Sequence, residues 1–198
     1  MTKPSPLVLR LATTPEANDL LARDPFALLA GMLLDQQVPM DWAFTAPHML
    51  LDRLGGDRLD PSTIAAMDPD KFVSLAKGPP AIHRYPGSMA GRLQKLAQHI
   101  VDTYGGDTAA IWTGVDSGTE LLGRLKQLPG FGEQKAKIFL ALLGKQLGVE
   151  PDGWREAAGV YGEAGSTRSI ADVTGPEALA AVRAYKQKVK AKAKAAAR

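Results

Sequence analysis

The sequence contains no cysteine, no long apolar run and no acidic residue after Glu177. The missing cysteine excludes disulfides, thiolate zinc sites and an iron–sulfur cluster, and it is consistent with a reducing compartment. No stretch approaches the length of a membrane span, and the segment from Met1 to Pro6 lacks the apolar core of a signal peptide. We therefore expect a cytoplasmic protein that does not contact a membrane.

The charge that is present is unevenly distributed. The formal net charge of the 198 residues is +3, yet seven basic residues follow Glu177, so the part before it is net negative. These basic residues are Arg183, Lys186, Lys188, Lys190, Lys192, Lys194 and Arg198. Such a tail suits contact with nucleic-acid phosphates, or it is a solvated helix end whose lysines complement the helix dipole.

Helical periodicity dominates the chain and predicts an all-α fold. Hydrophobic residues make up 45% of the sequence, enough for a sizeable core, and only Leu7-Val8-Leu9 resembles a strand. We expect one globular unit of two helical lobes at 1–177, with a helix–hairpin–helix at 120–147, and a basic C-terminal helix or tail at 178–198. Helices are predicted at Glu16–Ala22, Pro25–Val38, Pro39–Gly55, Pro61–Met67, Pro69–Ala76, Pro86–Tyr104, Asp107–Trp112, Ser117–Gln127, Glu133–Leu147, Gly153–Val160 and from Pro176 onward.

A turn with two glycines lies between two of these helices, at Leu128-Pro129-Gly130-Phe131-Gly132. Glycine allows positive φ and close approach of the backbone to a ligand, while Pro129 stiffens the turn. The first N–H groups of the second helix, together with its dipole, form an anion site suited to a DNA phosphate. The alternative is a helix–helix corner without a ligand.

These residues, followed by Glu133-Gln134-Lys135-Ala136, resemble the hairpin of the helix–hairpin–helix, glycine/proline-rich, aspartate-containing (HhH-GPD) superfamily of DNA glycosylases. The superfamily has an aspartate at a fixed distance beyond the hairpin, and Asp152 stands 24 positions after Leu128. The resemblance implies a two-lobed helical fold, and a catalytic role for Asp152 in breaking the N-glycosidic bond of a damaged or mismatched base. A carboxylate there would stabilise an oxocarbenium-like sugar and orient water. Asp152 also suits the N-cap of the helix that follows.

One departure from the superfamily concerns strand cleavage. Members that cleave the strand carry a Schiff-base lysine two residues after the last hairpin glycine, and here that residue is Gln134. Lys135 is one residue later, which is about 100° around a helix, so we expect it not to point where a nucleophilic amine is required. A monofunctional, water-using glycosylase is therefore predicted.

A second landmark is the glutamine pair in Leu34-Asp35-Gln36-Gln37. In the superfamily such a segment lies near the extruded nucleotide, and the resemblance gives Gln37, with Gln36 beside it, the role of filling the vacated space in the duplex. Asp35 is either a second acid/base group of the base pocket or a charge that holds the turn. Members that excise adenine have a glutamate where this chain has Met32, so adenine excision is not assigned.

The remaining site predictions also follow from the resemblance. Arg84 is expected to contact DNA, together with hairpin residues Pro129, Gly130, Phe131, Gly132, Gln134 and Lys135, and His83 and Tyr85 are expected to border the base pocket. The carbonyls of Lys126, Leu128 and Phe131 are expected to hold a monovalent cation, K⁺ or Na⁺, and no other cofactor is required.

The expected partner is double-stranded DNA, bound by a monomer associated with the nucleoid. Two alternatives remain at this point. One is a non-catalytic helix–hairpin–helix protein that recognises damaged or structured DNA, and the other is an architectural protein that binds through its lysine tail.

Overall fold

The computed structural model describes residues 8–196, and across this range the protein is helical without a strand. The expected strand is absent at Val8 and Leu9, while Leu7 lies outside the described residues, as does Arg198 of the tail. The α-helices are α1 (Pro15–Arg23), α2 (Pro25–Leu34), α3 (Met40–Leu54), α4 (Pro61–Ala66), α5 (Pro69–Lys77), α6 (Pro86–Tyr104), α7 (Gly118–Lys126), α8 (Glu133–Leu147), α9 (Trp154–Ala158) and α10 (Pro176–Ala196). Short 3₁₀ helices occur at Thr108–Ile111, Gly159–Tyr161 and Ile170–Asp172.

Local sequence explains where most helices begin. Thr14, Asp24, Asp60, Asp68 and Ser117 accept hydrogen bonds from first-turn N–H groups, and a proline follows four of these five caps. Glycines in positive φ end α6 and α8, as is usual for helix C-termini. Most of the expected helices are present, with boundaries that differ by a few residues. The exceptions are 107–112, which forms a 3₁₀ helix, and 153–160, where the short α9 is followed by a 3₁₀ helix.

The helices pack in two groups that follow one another along the chain. The main contacts join α1 to α6 among themselves, and α7, α8 and α9 among themselves, with the 3₁₀ helix at Ile170–Asp172 packed on α8 and α10. One hydrophobic cluster runs through both groups. Helix α2 is its centre, because all of its residues after Pro25 are buried. Apolar residues on nearly every side of this segment predict a buried central helix, which is confirmed, although α2 ends at Leu34 rather than Val38.

The basic tail is part of a single helix, α10, which begins at Pro176 and extends to Ala196. Val182 is its one buried side chain, and every residue from Lys186 to Ala196 is exposed. The predicted boundary at 177/178 therefore falls inside a helix. Between residues 8 and 196, no helix combines the length and the apolar character that crossing a membrane requires.

Candidate functional site

The hairpin between α7 and α8 is a type II β-turn that is anchored by apolar side chains. The N–H of Phe131 donates to the carbonyl of Leu128 at 3.0 Å, Pro129 occupies the second turn position, and Gly130 has φ +84°. Leu128 and Phe131 are buried, and the Phe131 ring packs edge-on against Phe139 at 5.9 Å. The backbone at Gly130 and Gly132 is thereby left on the surface.

The N-terminus of α8 is open to an anion. Gly132 is the N-cap, no side chain caps the helix, and the first intrahelical bond runs from the N–H of Ala136 to the carbonyl of Gly132. The first-turn N–H groups have no acceptor inside a helix, so they are available to a phosphate. The exposed Glu133 stands in this turn, where Lys137 at 2.7 Å and Lys126 at 3.7 Å pair with it. Its hydrogen bond and charge interaction with Lys137 lower the pKa of Glu133.

The hairpin docks on the C-terminal end of α2 through Leu33. A Cβ on Gly130 would lie 2.4 Å from Cδ1 of Leu33 and would displace that side chain, and the φ of +84° also favours glycine here. On the same side, Nζ of Lys135 donates to the carbonyl of Leu33 at 2.6 Å. The hairpin is therefore positioned directly beside Asp35, the residue that follows α2.

A cavity of about 430 Å³ opens at this junction, within the range of ligand pockets. Met32 and Asp35 line it from α2 and the residue after it, Gln134 and Lys135 from α8, and Tyr161 from the 3₁₀ helix after α9. The other lining residues include Arg168 and a face of α10 with Tyr185, Lys186, Val189, Lys190 and Ala193. The cavity therefore combines residues from five separate segments of the chain.

Asp35 and Lys135 are both partly buried, and this burial disfavours the charged form of each. Burial raises the pKa of Asp35, and the charges of Lys186 and Lys135 oppose that rise. Burial lowers the pKa of Lys135 to about 8, with Asp35 acting in the opposite direction. Asp35 also lies at the C-terminal end of α2, where the helix dipole disfavours an anion. Ionisable groups held in unfavourable surroundings inside a cavity are typical of functional sites.

Gln134 and Lys135 both line the cavity, but they differ in depth. Gln134 is exposed and its amide donates to the hydroxyl of Tyr161 at 2.9 Å, whereas Lys135 is partly buried and reaches back to Leu33. Lys135 reaches the cavity although it lies about 100° around α8 from Gln134, because its side chain is long.

Asp152 lies apart from this cavity. It is exposed, its N–H donates to the carbonyl of Asp116 at 3.1 Å, and its carbonyl accepts the N–H of Gly118 at 2.7 Å. Gly118 begins α7, so these bonds hold Asp152 at the end of the helix pair opposite the hairpin. Helix α8 is about 20 Å long, and the few residues from Leu147 to Asp152 are too short to return to its start. The expected N-cap is also wrong, because Gly153 caps α9 and no side chain contributes.

The glutamine turn forms a second, smaller cleft of about 200 Å³. Gln37 has φ +57°, and the carbonyl of Gln36 accepts a hydrogen bond from Nε2 of the buried His83 at 2.8 Å. Nδ1 of His83 accepts the N–H of Tyr85 at 3.0 Å, so the ring carries its proton on Nε2. His83 lines the cleft, and it also fixes the turn because both of its ring nitrogens are hydrogen-bonded to backbone groups.

Other residues of this cleft are more accessible. Tyr85 lines the cleft, and Arg84, which is not part of the lining, lies over the Tyr85 ring at 5.0 Å; both side chains are exposed. Arg92, which the sequence did not single out, donates to Oε1 of Gln36 at 3.1 Å. Tyr161, Arg168 and Lys186 were also missed, because no local pattern indicates that their segments meet at the hairpin.

The predicted cation site involves a carbonyl that is already in use. The bond from Phe131 takes one lone pair of the Leu128 carbonyl, so Leu128 fits a cation only through its second lone pair. Across residues 8–196, no group of three or more histidine, aspartate or glutamate side chains could hold a metal ion.

Comparison with known proteins does not assign this chain to a family. No family model matches the chain, and no curated protein matches it. The functional conclusion therefore depends on the sequence motif and on the geometry of the cavity.

Proposed function

We propose that the protein is a monofunctional DNA glycosylase with the two-lobed HhH-GPD fold, which hydrolyses the N-glycosidic bond of a damaged or mismatched base. The single observation that carries the proposal is the placement of Asp35 and Lys135. Both side chains face one cavity beside the uncapped N-terminus of the hairpin helix. The uncapped helix N-terminus, which suits a phosphate, and the partly buried carboxylate of Asp35 are therefore close to each other.

In this proposal the hairpin binds the DNA backbone. The open N–H groups of α8 donate hydrogen bonds to a phosphate, and the surface backbone at Gly130 and Gly132 permits close approach. A K⁺ or Na⁺ ion on the carbonyls of Lys126, Leu128 and Phe131 would add positive charge next to the same phosphate. Gln37 and Gln36, with Arg84 nearby, stand at the second cleft, where they would occupy the space left by an extruded nucleotide.

The reacting carboxylate in this proposal is Asp35 rather than Asp152. Breakage of the bond between C1′ and the base nitrogen leaves an oxocarbenium-like sugar, which an ionised Asp35 stabilises. Asp35 then accepts a proton from the attacking water, whose oxygen bonds to C1′, and this proton passes on to the departing base, which leaves Asp35 ionised again. Lys135 and Lys186 favour this ionised state, because their charges lower the pKa of Asp35.

Hydrolysis without strand cleavage is proposed because Gln134 stands where strand-cleaving members of the superfamily have their Schiff-base lysine, and an amide cannot form a Schiff base. The amine of Lys135 is engaged in a hydrogen bond to the carbonyl of Leu33. The base itself is not assigned: uracil, alkylated purines, oxidised bases and mismatched bases are all candidates.

The test is a panel of duplexes that each contain one lesion, incubated with the protein and analysed with and without hot alkali. We expect base release from at least one duplex, with strand breakage only after alkali. Breakage without alkali would indicate that Lys135 acts as a nucleophile. Absence of base release from the whole panel would contradict the proposed reaction.

The exposure of Asp152 favours a second candidate function. Because the aspartate that matches the superfamily motif is outside the cavity, the chain is also compatible with a non-catalytic protein that binds damaged or structured DNA. This alternative predicts preferential binding of lesion duplexes without release of any base. Assaying the same panel of duplexes for binding as well as for base release distinguishes the glycosylase from the non-catalytic DNA-binding protein.

A further inference from the structure

Helix α10 presents two different sets of lysines, and only one set faces the cavity. Lys186 and Lys190 line the cavity together with Tyr185, Val189 and Ala193, a spacing that places them on one face of the helix. Lys188 and Lys192 are absent from the lining, and each lies roughly 200° or more around the helix from Lys186. The basic tail is thus divided between a cavity face and an outward face.

The cavity has an excess of positive charge. Four cationic side chains line it, Lys135, Arg168, Lys186 and Lys190, against the single carboxylate of Asp35. Lys186 is 3.9 Å from Oδ2 of Asp35, so that carboxylate is shared between two lysines. Within residues 8–196, Lys190 has no ion-pair partner. An anion would therefore be attracted to the α10 side of the cavity.

Arg168 is held in place on the same side. Its Nη1 donates to the hydroxyl of Tyr185 at 3.0 Å, its Nη2 lies 3.5 Å from Glu163, and its guanidinium lies 5.5 Å from the centre of the Tyr185 ring. A guanidinium fixed in this way is suited to hold phosphate oxygens. Arg168 and the two α10 lysines thus come from different segments but converge on one region.

The rest of the lining suits a flat, largely apolar group. Met32, Ile138, Val160 and Val189 contribute aliphatic surface, and Tyr161 contributes a ring. A ligand that combines a planar base with a phosphate matches both parts of the cavity.

We infer that the cavity binds a whole nucleotide rather than a base alone, with its phosphate on Arg168, Lys186 and Lys190. This inference rests on the proposed function, because it takes an extruded nucleotide as the occupant. The shared chemistry is a phosphate, which comes either from a free mononucleotide or from the DNA chain next to the extruded base. The tail lysines that face outward have no part in this subsite.

The first experiment uses free 2′-deoxynucleoside 5′-monophosphates and the matching nucleosides, titrated into the full chain by calorimetry or NMR. We expect at least one monophosphate to bind about tenfold or more tightly than its nucleoside. The double variant Lys186→Gln/Lys190→Gln should lose this difference, and the matched variant Lys188→Gln/Lys192→Gln should keep it. Equal loss in both variants, or no binding of any monophosphate, would overturn the inference.

The second experiment tests the phosphate within DNA. Wild-type protein is expected to prefer a duplex with one bulged nucleotide over the fully paired duplex, and Lys186→Gln/Lys190→Gln should lower that preference about tenfold. An unchanged preference would contradict the subsite. None of these measurements needs base release, so a protein that releases no base but binds a monophosphate contradicts the glycosylase reaction and not the phosphate subsite. Conversely, base release by a protein that binds no monophosphate contradicts the subsite and not the reaction.

Discussion

Nζ of Lys135 lies 2.6 Å from the carbonyl oxygen of Leu33, to which it donates a hydrogen bond. This bond joins the first turn of the hairpin helix to the last turn of α2, although the two residues are 102 positions apart. It also holds the ammonium near Asp35, whose charge favours protonation of Lys135. The cavity therefore exists only when the hairpin is docked on α2.

Replacing Lys135 with methionine is expected to raise the free energy of unfolding at neutral pH. Burial lowers the pKa of Lys135 from its ordinary 10.5 to about 8, so the unfolded chain binds this proton more tightly than the folded chain does. The cost, about 3 kcal/mol, is fully present below pH 8 and disappears as the pH rises towards 10.5. Urea unfolding of the wild type and of Lys135→Met across this pH range measures the difference in their free energies of unfolding. A difference that is independent of pH would contradict the account.

Replacing Gly132 with aspartate separates DNA binding from stability. A Cβ at this position meets nothing within 4 Å, and the backbone of Gly132 is compatible with a side chain. The new carboxylate would cap the N–H groups of α8 and repel phosphate, so DNA affinity should fall by about tenfold or more while stability rises by about a few tenths of a kcal/mol. Fluorescence anisotropy with labelled duplex, beside a thermal melt, measures both.

A matched control is Gly123→Asp on α7, where a Cβ also meets nothing within 4 Å and which precedes the hairpin turn, outside the first turn of α8. It adds the same charge outside the anion site, so its effect on DNA affinity should be much smaller. Equal losses of affinity in the two variants would show that the charge acts generally and not at the α8 N-terminus.

Replacing Glu133 with glutamine should have the opposite pair of effects. The carboxylate stands beside the anion site and occupies Lys126 and Lys137, so its removal should strengthen DNA binding by about threefold to tenfold at low salt and steepen the salt dependence. The folded state should lose stability, because an acidic residue in the first turn favours the helix. A weaker complex, or an unchanged salt slope, would contradict phosphate binding at this turn.

Much of the fold could be predicted from the sequence, because its helices are marked locally. Prolines and aspartates at helix starts and glycines at helix ends specify boundaries without tertiary information. The end of α2 could not be predicted in this way. Gln37 adopts φ +57° in the turn that His83 braces from a distant segment, so the helix stops before the apolar pattern does.

The hairpin could also be predicted from the sequence, whereas the identity of the carboxylate that lines the cavity could not. The superfamily spacing selects Asp152 by counting residues, but the direction of the chain after α8 depends on packing, and here it returns to the start of α7. The burial of single side chains is also hard to predict: helical spacing predicts that Trp42 is a core residue, but its side chain is 38% exposed. The burial of Asp35 and the position of α10 depend on contacts between segments far apart in sequence.

The most direct test of the central claim compares Asp35→Asn with Asp152→Asn on a duplex from which the wild type releases a base. We predict that Asp35→Asn lowers the single-turnover rate of base release by about 100-fold or more, with DNA affinity nearly unchanged. The fold should persist, since a buried charge is removed, and Asp152→Asn should keep a rate within about threefold of the wild type. Loss of base release in Asp152→Asn with retention in Asp35→Asn would contradict the account.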